Sequence, residues 1–177
     1  MPETEMKFKT PEGQTIDRQL LIAYLNVGTP EAPQWAALGF RVEDSSMEYD
    51  MGKDTKQDIM GNTFTTLKKP VITQNFDPMP LDSSDRAVQH IWNLGVRKQD
   101  VQALANQDVM VAHFYAGTTT AEFAERYPAS AVEISNFGGE GGGHLGLSST
   151  VTYGGKRQLG TVTKDAEDAV TFTPDEA

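Results

Sequence analysis

The chain of 177 residues contains no cysteine, which excludes disulfides, thiolate metal sites and cysteine nucleophiles together. It has no apolar run near the roughly 18 residues that a membrane-spanning helix needs. The opening stretch, MPETEMKFKT, has neither a basic nor an apolar segment, so no secretory signal is expected. Positive charge is scarce: 15 Lys and Arg face 25 Asp and Glu, a formal net charge of −10. A nucleic-acid groove draws its affinity from neutralising phosphates, and this deficit argues against one. The acidity fits plain solubility, or a surface that faces a polyanion without adhering to it. Length and an apolar content of 38% suffice for one domain with its own core.

What is present is mainly β patterning. Residues 1–14 are polar, carry Pro2, Pro11 and Gly13, and read as an arm outside the core. The expected domain spans 15–164. LLIAYLNVG (20–28) is an apolar run ended by glycine, a buried strand. TPEAPQW is a Pro-broken loop that delivers Trp35. FRVEDSSMEYD (40–50) partly alternates and then switches parity, which predicts a strand with a bulge or bend. Residues 50–79 read as a long central loop or hairpin, with strands DIMGNTFTTLKK and VITQNFDPMP parted near Pro70.

One helix is expected over 82–98, with cap candidates Asp82 and Ser83. Its apolar face is Ala87, Val88, Ile91, Trp92 and Leu94, and Gly95 ends or bends it. QDVMVAHFYAG (107–117) is a strand, and TTTAEFAERY a loop or short helix. In ASAVEISNFGG, Val132, Ile134 and Asn136 oppose Glu133, Ser135 and Phe137, as in a two-faced strand. HLGLSSTVTYGG and RQLGTVTK read as strands joined by a tight turn at Gly154-Gly155. Residues 165–177 form an acidic tail, in which AVTFT could add a strand to a neighbour. The fold class is therefore mainly β (α+β), with a single helix.

Motifs for catalysis are missing. Gly141, Gly143 and Gly146 spell G-x-G-x-x-G, but a dinucleotide loop needs a helix after it, and LGLSSTVTYGG has no helical period. Six glycines in nine residues instead predict a flexible hairpin loop, with Gly138, Gly139, Glu140, Gly141, Gly142 and Gly143 on a rim. His90, His113 and His144 have no metal-ligand spacing and read as structural. Asp50, Asp54 and Asp58 recur every four residues, but Gly52 and the flanking strand signals make them a solvated connector. GLSST is not a nucleophile elbow. No catalytic residue, metal or cofactor is expected, so the chain is not expected to be an enzyme. Trp92 belongs to the core, whereas Trp35 sits at a core edge or a subunit interface.

The run LNVGTPEAPQWAALGFRVEDSSMEYDMGKDTKQDIMGN resembles the N-terminal part of phage major tail proteins, the tail tube proteins of long-tailed, non-contractile phages. Trp35, Gly39-Phe40, the acidic stretch Glu48-Tyr49-Asp50 and the segment Asp58-Ile59-Met60-Gly61 carry the resemblance in order. KKPVITQNFDPMPLDSSD and AVEISNFGGEGGGHLGLSSTVTYGGKRQLGTVT extend it, to cover roughly Leu20 to Thr163.

The resemblance implies a β-sandwich or distorted barrel with one packed helix. Six subunits would form a ring, and rings would stack into a hollow tube through which DNA passes without specific binding. It implies a virion tail location after assembly in a host cytoplasm, no membrane, and tape-measure, initiator and terminator proteins as partners. The long loop and the arms would join ring to ring, which makes Trp35, Asp50, Met51, Lys53, Ile59, Met60, Phe64, Leu67 and Phe76 the interface candidates. Tubes of contractile tails, tail-like bacteriocins and secretion systems resemble this fold as well. Two other classes stay open. One is a carbohydrate-binding β-sandwich that uses Trp35 as a platform. The other is a hydrolase that gathers His113, His144 and an acid in one cleft.

Overall fold

A computed structural model of the chain describes residues 5–118 and 120–176. The first four residues of the expected arm and the last residue of the expected tail lie outside them. The chain is mainly β. Its strands are β1 Leu21–Asn26, β2 Trp35–Ala37, β3 Met47–Asp50, β4 Asp54–Gln57, β5 Thr63–Thr66, β6 Val71–Pro80, β7 Gln107–Gly117, β8 Glu122–Gly138, β9 Gly146–Tyr153, β10 Gln158–Lys164 and β11 Val170–Pro174. Helix α1, Arg86–Trp92, a π-helical turn, Asn93–Arg97, and helix α2, Val101–Leu104, link β6 to β7.

The 17 residues of β8 organise the molecule. Its first half pairs β7 on one side and β10 on the other, antiparallel to both. Its second half pairs β9, from Ala131↔Thr152 to Gly138↔Gly146. One sheet therefore runs β2-β1-β7-β8-β10-β11, and a second runs β8-β9-β6-β3, with β8 shared. Pro128 lies in β8 where the ladders change. It has no N–H to give, and Gly155 on the partner path turns at φ 84, so the shared strand bends there from one sheet to the other.

Apolar side chains from both sheets meet between them. Leu25, Phe76, Met79, Val109, Val111, Val132, Leu147 and Val151 are buried, and Ala87, Val88 and Ile91 of α1 close one side. Burial of a side chain such as Ile91 stabilises the fold by about 1.5–3 kcal/mol. The helix starts at Arg86 because the Asp85 carboxylate accepts from the Val88 N–H and caps it. A second buried set, including Tyr24, Met110, Ala112, Ala124 and Val162, lies on the outer face of the first sheet.

Several local expectations change. Residues 40–46 do not extend a strand, because Gly39 (φ 101) and Arg41 (φ 58) turn the chain, and only Met47–Asp50 pairs. The central excursion ends before 71, since Val71–Pro80 is an interior strand between β3 and β9. Asp82 binds Ser84 in a turn rather than capping the helix. Gly95 sits in the π-helical turn, where a β-carbon would collide with Ile134. Residues from Glu122 onward are strand, neither loop nor helix. Gly154-Gly155 is no hairpin turn: β9 and β10 do not pair with each other but lie in succession along β8. Val170–Pro174 adds to β10 of its own chain.

Candidate assembly surfaces

The second sheet is open at both ends of its strand order. β3 pairs only β6, and the 131–138 half of β8 pairs only β9 among the described residues. Each leaves a row of backbone donors and acceptors ready for another strand. Beside the β8 edge is an apolar cleft of about 570 Å³, formed with Gly95, Val101 and Leu104.

Alternation along these strands points Ile72, Gln74, Val132 and Val151 inward. Their neighbours Glu48, Asp50, Thr73, Asn75, Glu133 and Thr150 point outward. The four ladder segments MEYD, VITQNFDPMP, AVEISNFG and GLSSTVTY contain no Lys or Arg. They contain Glu48, Asp50, Asp77 and Glu133. The outward face is thus polar and negative.

From the Asp50/Val71 end of the β3–β6 ladder projects the β4–β5 hairpin, all of whose strand residues are exposed. It begins with Met51 O accepting from Lys68 N at 2.8 Å. At its tip Asp58 accepts from the N–H groups of Met60 and Asn62 and from the Asn62 side chain. These bonds from Asn62 and Met60 hold the Asp58 carboxyl below the usual range. The turn so fixed displays Ile59 at 105% and Met60 at 81% relative exposure. Met51, Phe64 and Leu67 are exposed along the same hairpin, Lys53 at its base is exposed, and Asp50 accepts from Gly52 N.

Phe76 does not belong with them. It is 2% exposed and points into the core, because its parity on β6 matches Ile72 and Gln74. Trp35 is half-buried in β2 with the Arg126 guanidinium over its ring, 5.6 Å from the ring centre. Residues 138–143 lie at and beyond the end of β8, in the loop to β9, where Gly138 (φ 150) and Gly142 (φ 81) take conformations that favour glycine. No helix follows them. His144 lies on this loop, His113 in mid-β7, and His90 bonds Gln107 at 3.0 Å.

One constellation escaped the sequence. Glu125 is 4% exposed, yet its carboxylate meets His113 Nε2 (2.9 Å), Arg157 and the Tyr127 hydroxyl (3.3 Å). Burial pushes its carboxyl up, but the bonds from His113 and Arg157 outweigh that and hold it below the usual range. Burial, with Glu125 nearby, pushes the Tyr127 hydroxyl up to about 12. His113 comes from β7, Tyr127 lies two residues along β8 from Glu125, and Arg157 lies in the connection between β9 and β10. Only the alternation around Glu125, inward on a buried strand, hinted at it.

No family model matches the chain, and no curated protein matches it. Solved structures do. A chain of the PVC sheath-tube complex, an extracellular contractile injection system in its extended state, is 8% identical with a TM-score of 0.48; the alignment covers 85% of this chain and 95% of that one. A chain of the sheath/tube terminator of such a system is 10% identical with a TM-score of 0.46, over 84% and 99%. The tube-terminating cap of the anti-feeding prophage is 13% identical with a TM-score of 0.46, over 86% and 95%.

Proposed function

We propose that the chain is a structural subunit that closes into rings and stacks into a hollow tail tube. The observation that carries this reading is the second sheet, open at both edges and negative on its outward face. Copies that pair the β3 edge of one with the β8 edge of the next extend the sheet and bury both edges. Ring closure leaves the outward face on the inside. With six copies of four strands, at about 4.8 Å per strand, the barrel would be roughly 37 Å across before strand tilt. Duplex DNA passes such a channel, and a lining of acids and hydroxyls without cations keeps it sliding.

The assignment to a phage virion, to a non-contractile tail and to six copies per ring comes from the sequence resemblance. So do the tape-measure, initiator and terminator partners. The edge geometry itself serves a tube with or without a sheath around it.

Negative-stain microscopy of the concentrated protein, paired with light scattering, tests the proposal. Rings or hollow tubes are the expected result. A protein that stays monomeric across salt, crowding and nucleating conditions would sink it.

A further inference from the structure

Beside the buried Glu125 the two sheets enclose a cavity of about 270 Å³. The rings of Tyr49 on β3, Tyr127 on β8 and Tyr153 at the end of β9 form its walls, together with Pro70 and Ile72. The Tyr127 and Tyr153 ring centres are 5.1 Å apart. Burial pushes all three hydroxyls above the usual tyrosine range, so each stays neutral and able to donate. Lys69, just before β6, and Arg157, between β9 and β10, bring positive charge to the same cavity.

Donors exceed acceptors there. Glu125 is the one carboxylate in the lining, and its oxygens already accept from His113, from the Tyr127 hydroxyl and from Nε and Nη2 of Arg157. The Tyr153 hydroxyl donates to Gln74 Oε1. A guanidinium carries five N–H groups, so Arg157 keeps others beyond those that Glu125 takes. Among the described residues the Lys69 ammonium and the Tyr49 hydroxyl meet no protein acceptor, and the charges of Glu125 and Arg157 both act on that hydroxyl. A cationic guest would meet Lys69 and Arg157 and find Glu125 already satisfied. A guest with an anionic head and a flat apolar body matches both the donors and the walls. The volume lies just under the roughly 300–1,000 Å³ of sites for drug-sized ligands, which suits a molecule of one ring.

We propose that this cavity binds a single-ring aromatic carboxylate. Its carboxylate accepts from Lys69, Arg157 and the Tyr49 hydroxyl, and its ring packs on Tyr127 and Tyr153. Tyr49 leads into the projecting hairpin and Lys69 leads out of it, so the ligand ties the hairpin base to the shared strand β8. The site lies within one copy and stands whether or not copies assemble.

Isothermal titration of the full chain with benzoate, benzyl alcohol and benzylamine tests the proposal. Benzoate should bind one to one, at least about tenfold more tightly than the two others, and raise the melting temperature. Lys69→Gln and Tyr49→Phe should each weaken benzoate about threefold or more. Both variants should melt like the native protein without ligand, since Lys69 is exposed and the Tyr49 oxygen has no protein partner to lose. Lys98→Gln removes the same charge outside the cavity and should leave benzoate binding unchanged. No saturable binding by about 20 mM benzoate would overturn the proposal. So would equal binding of the three compounds, or a loss as large in Lys98→Gln as in Lys69→Gln.

Discussion

Glu125 shows how a charge survives in this interior. Its carboxylate is almost out of water, and donors from His113 on β7, Tyr127 on its own strand and Arg157 just ahead of β10 replace the lost hydration. Glu125→Ala would leave His113, Tyr127 and Arg157 without their acceptor. Arg157 is 40% exposed at its side chain and can turn to solvent, so the expected loss is about 2–3 kcal/mol, below the full cost of a broken buried pair. Chemical denaturation measures it, and a loss within error would show that the network does not hold the sheets. The Glu125 carboxyl is depressed in the folded state, so its stabilisation is complete above its unfolded pKa, near 4.3, and is lost as pH falls through the folded value. Melting temperatures should therefore fall below about pH 4 in the native protein, and fall less in Glu125→Gln.

Among the elements, the hairpin and the sheets have separable roles. The β4–β5 strands bury nothing in their own chain, and Met51 and Lys68 join across its base. Deletion of 53–67 should leave melting temperature and β circular dichroism close to native while stacked assemblies disappear on microscopy. Loss of the β signal would place the hairpin in the core. The alternation at 132–135 and the apolar stripe of α1 were legible in sequence, because each is a local period imposed by one buried face. In sequence the Gly154-Gly155 pair reads as a hairpin turn, since a bend in the path and a turn between paired strands carry the same glycines. What separates them is pairing with β8, a contact across some 25 residues that leaves no local period. The burial of Phe76 is hidden in sequence for a similar reason: its exposure depends on the sheet over it, not on its neighbours in the chain.

Across the whole molecule, charge is sorted by face. The second sheet's strand segments hold Glu48, Asp50, Asp77 and Glu133 without a cation, whereas Arg126 and Lys164 lie over aromatic rings of the first sheet. If the negative face lines a channel, Glu48→Lys/Glu133→Lys should convert repulsion to retention. Salt-dependent DNA binding is expected in the assembled variant, with native assemblies binding none; a gel-shift titration over a range of salt reads the difference. Equal behaviour of the two would remove this face from the channel.

The sequence by itself determined the class of the molecule: β strands from alternation, one helical connection from its stripe, no cysteine chemistry, and an excess of acid. Those properties are sums or short periods along the chain. The tertiary structure alone decided which acids share a face, which edges stay unpaired, and that Lys69, Arg157 and three tyrosine rings line one cavity. Each of these depends on strand order and register, and hydrogen bonds between distant segments set both.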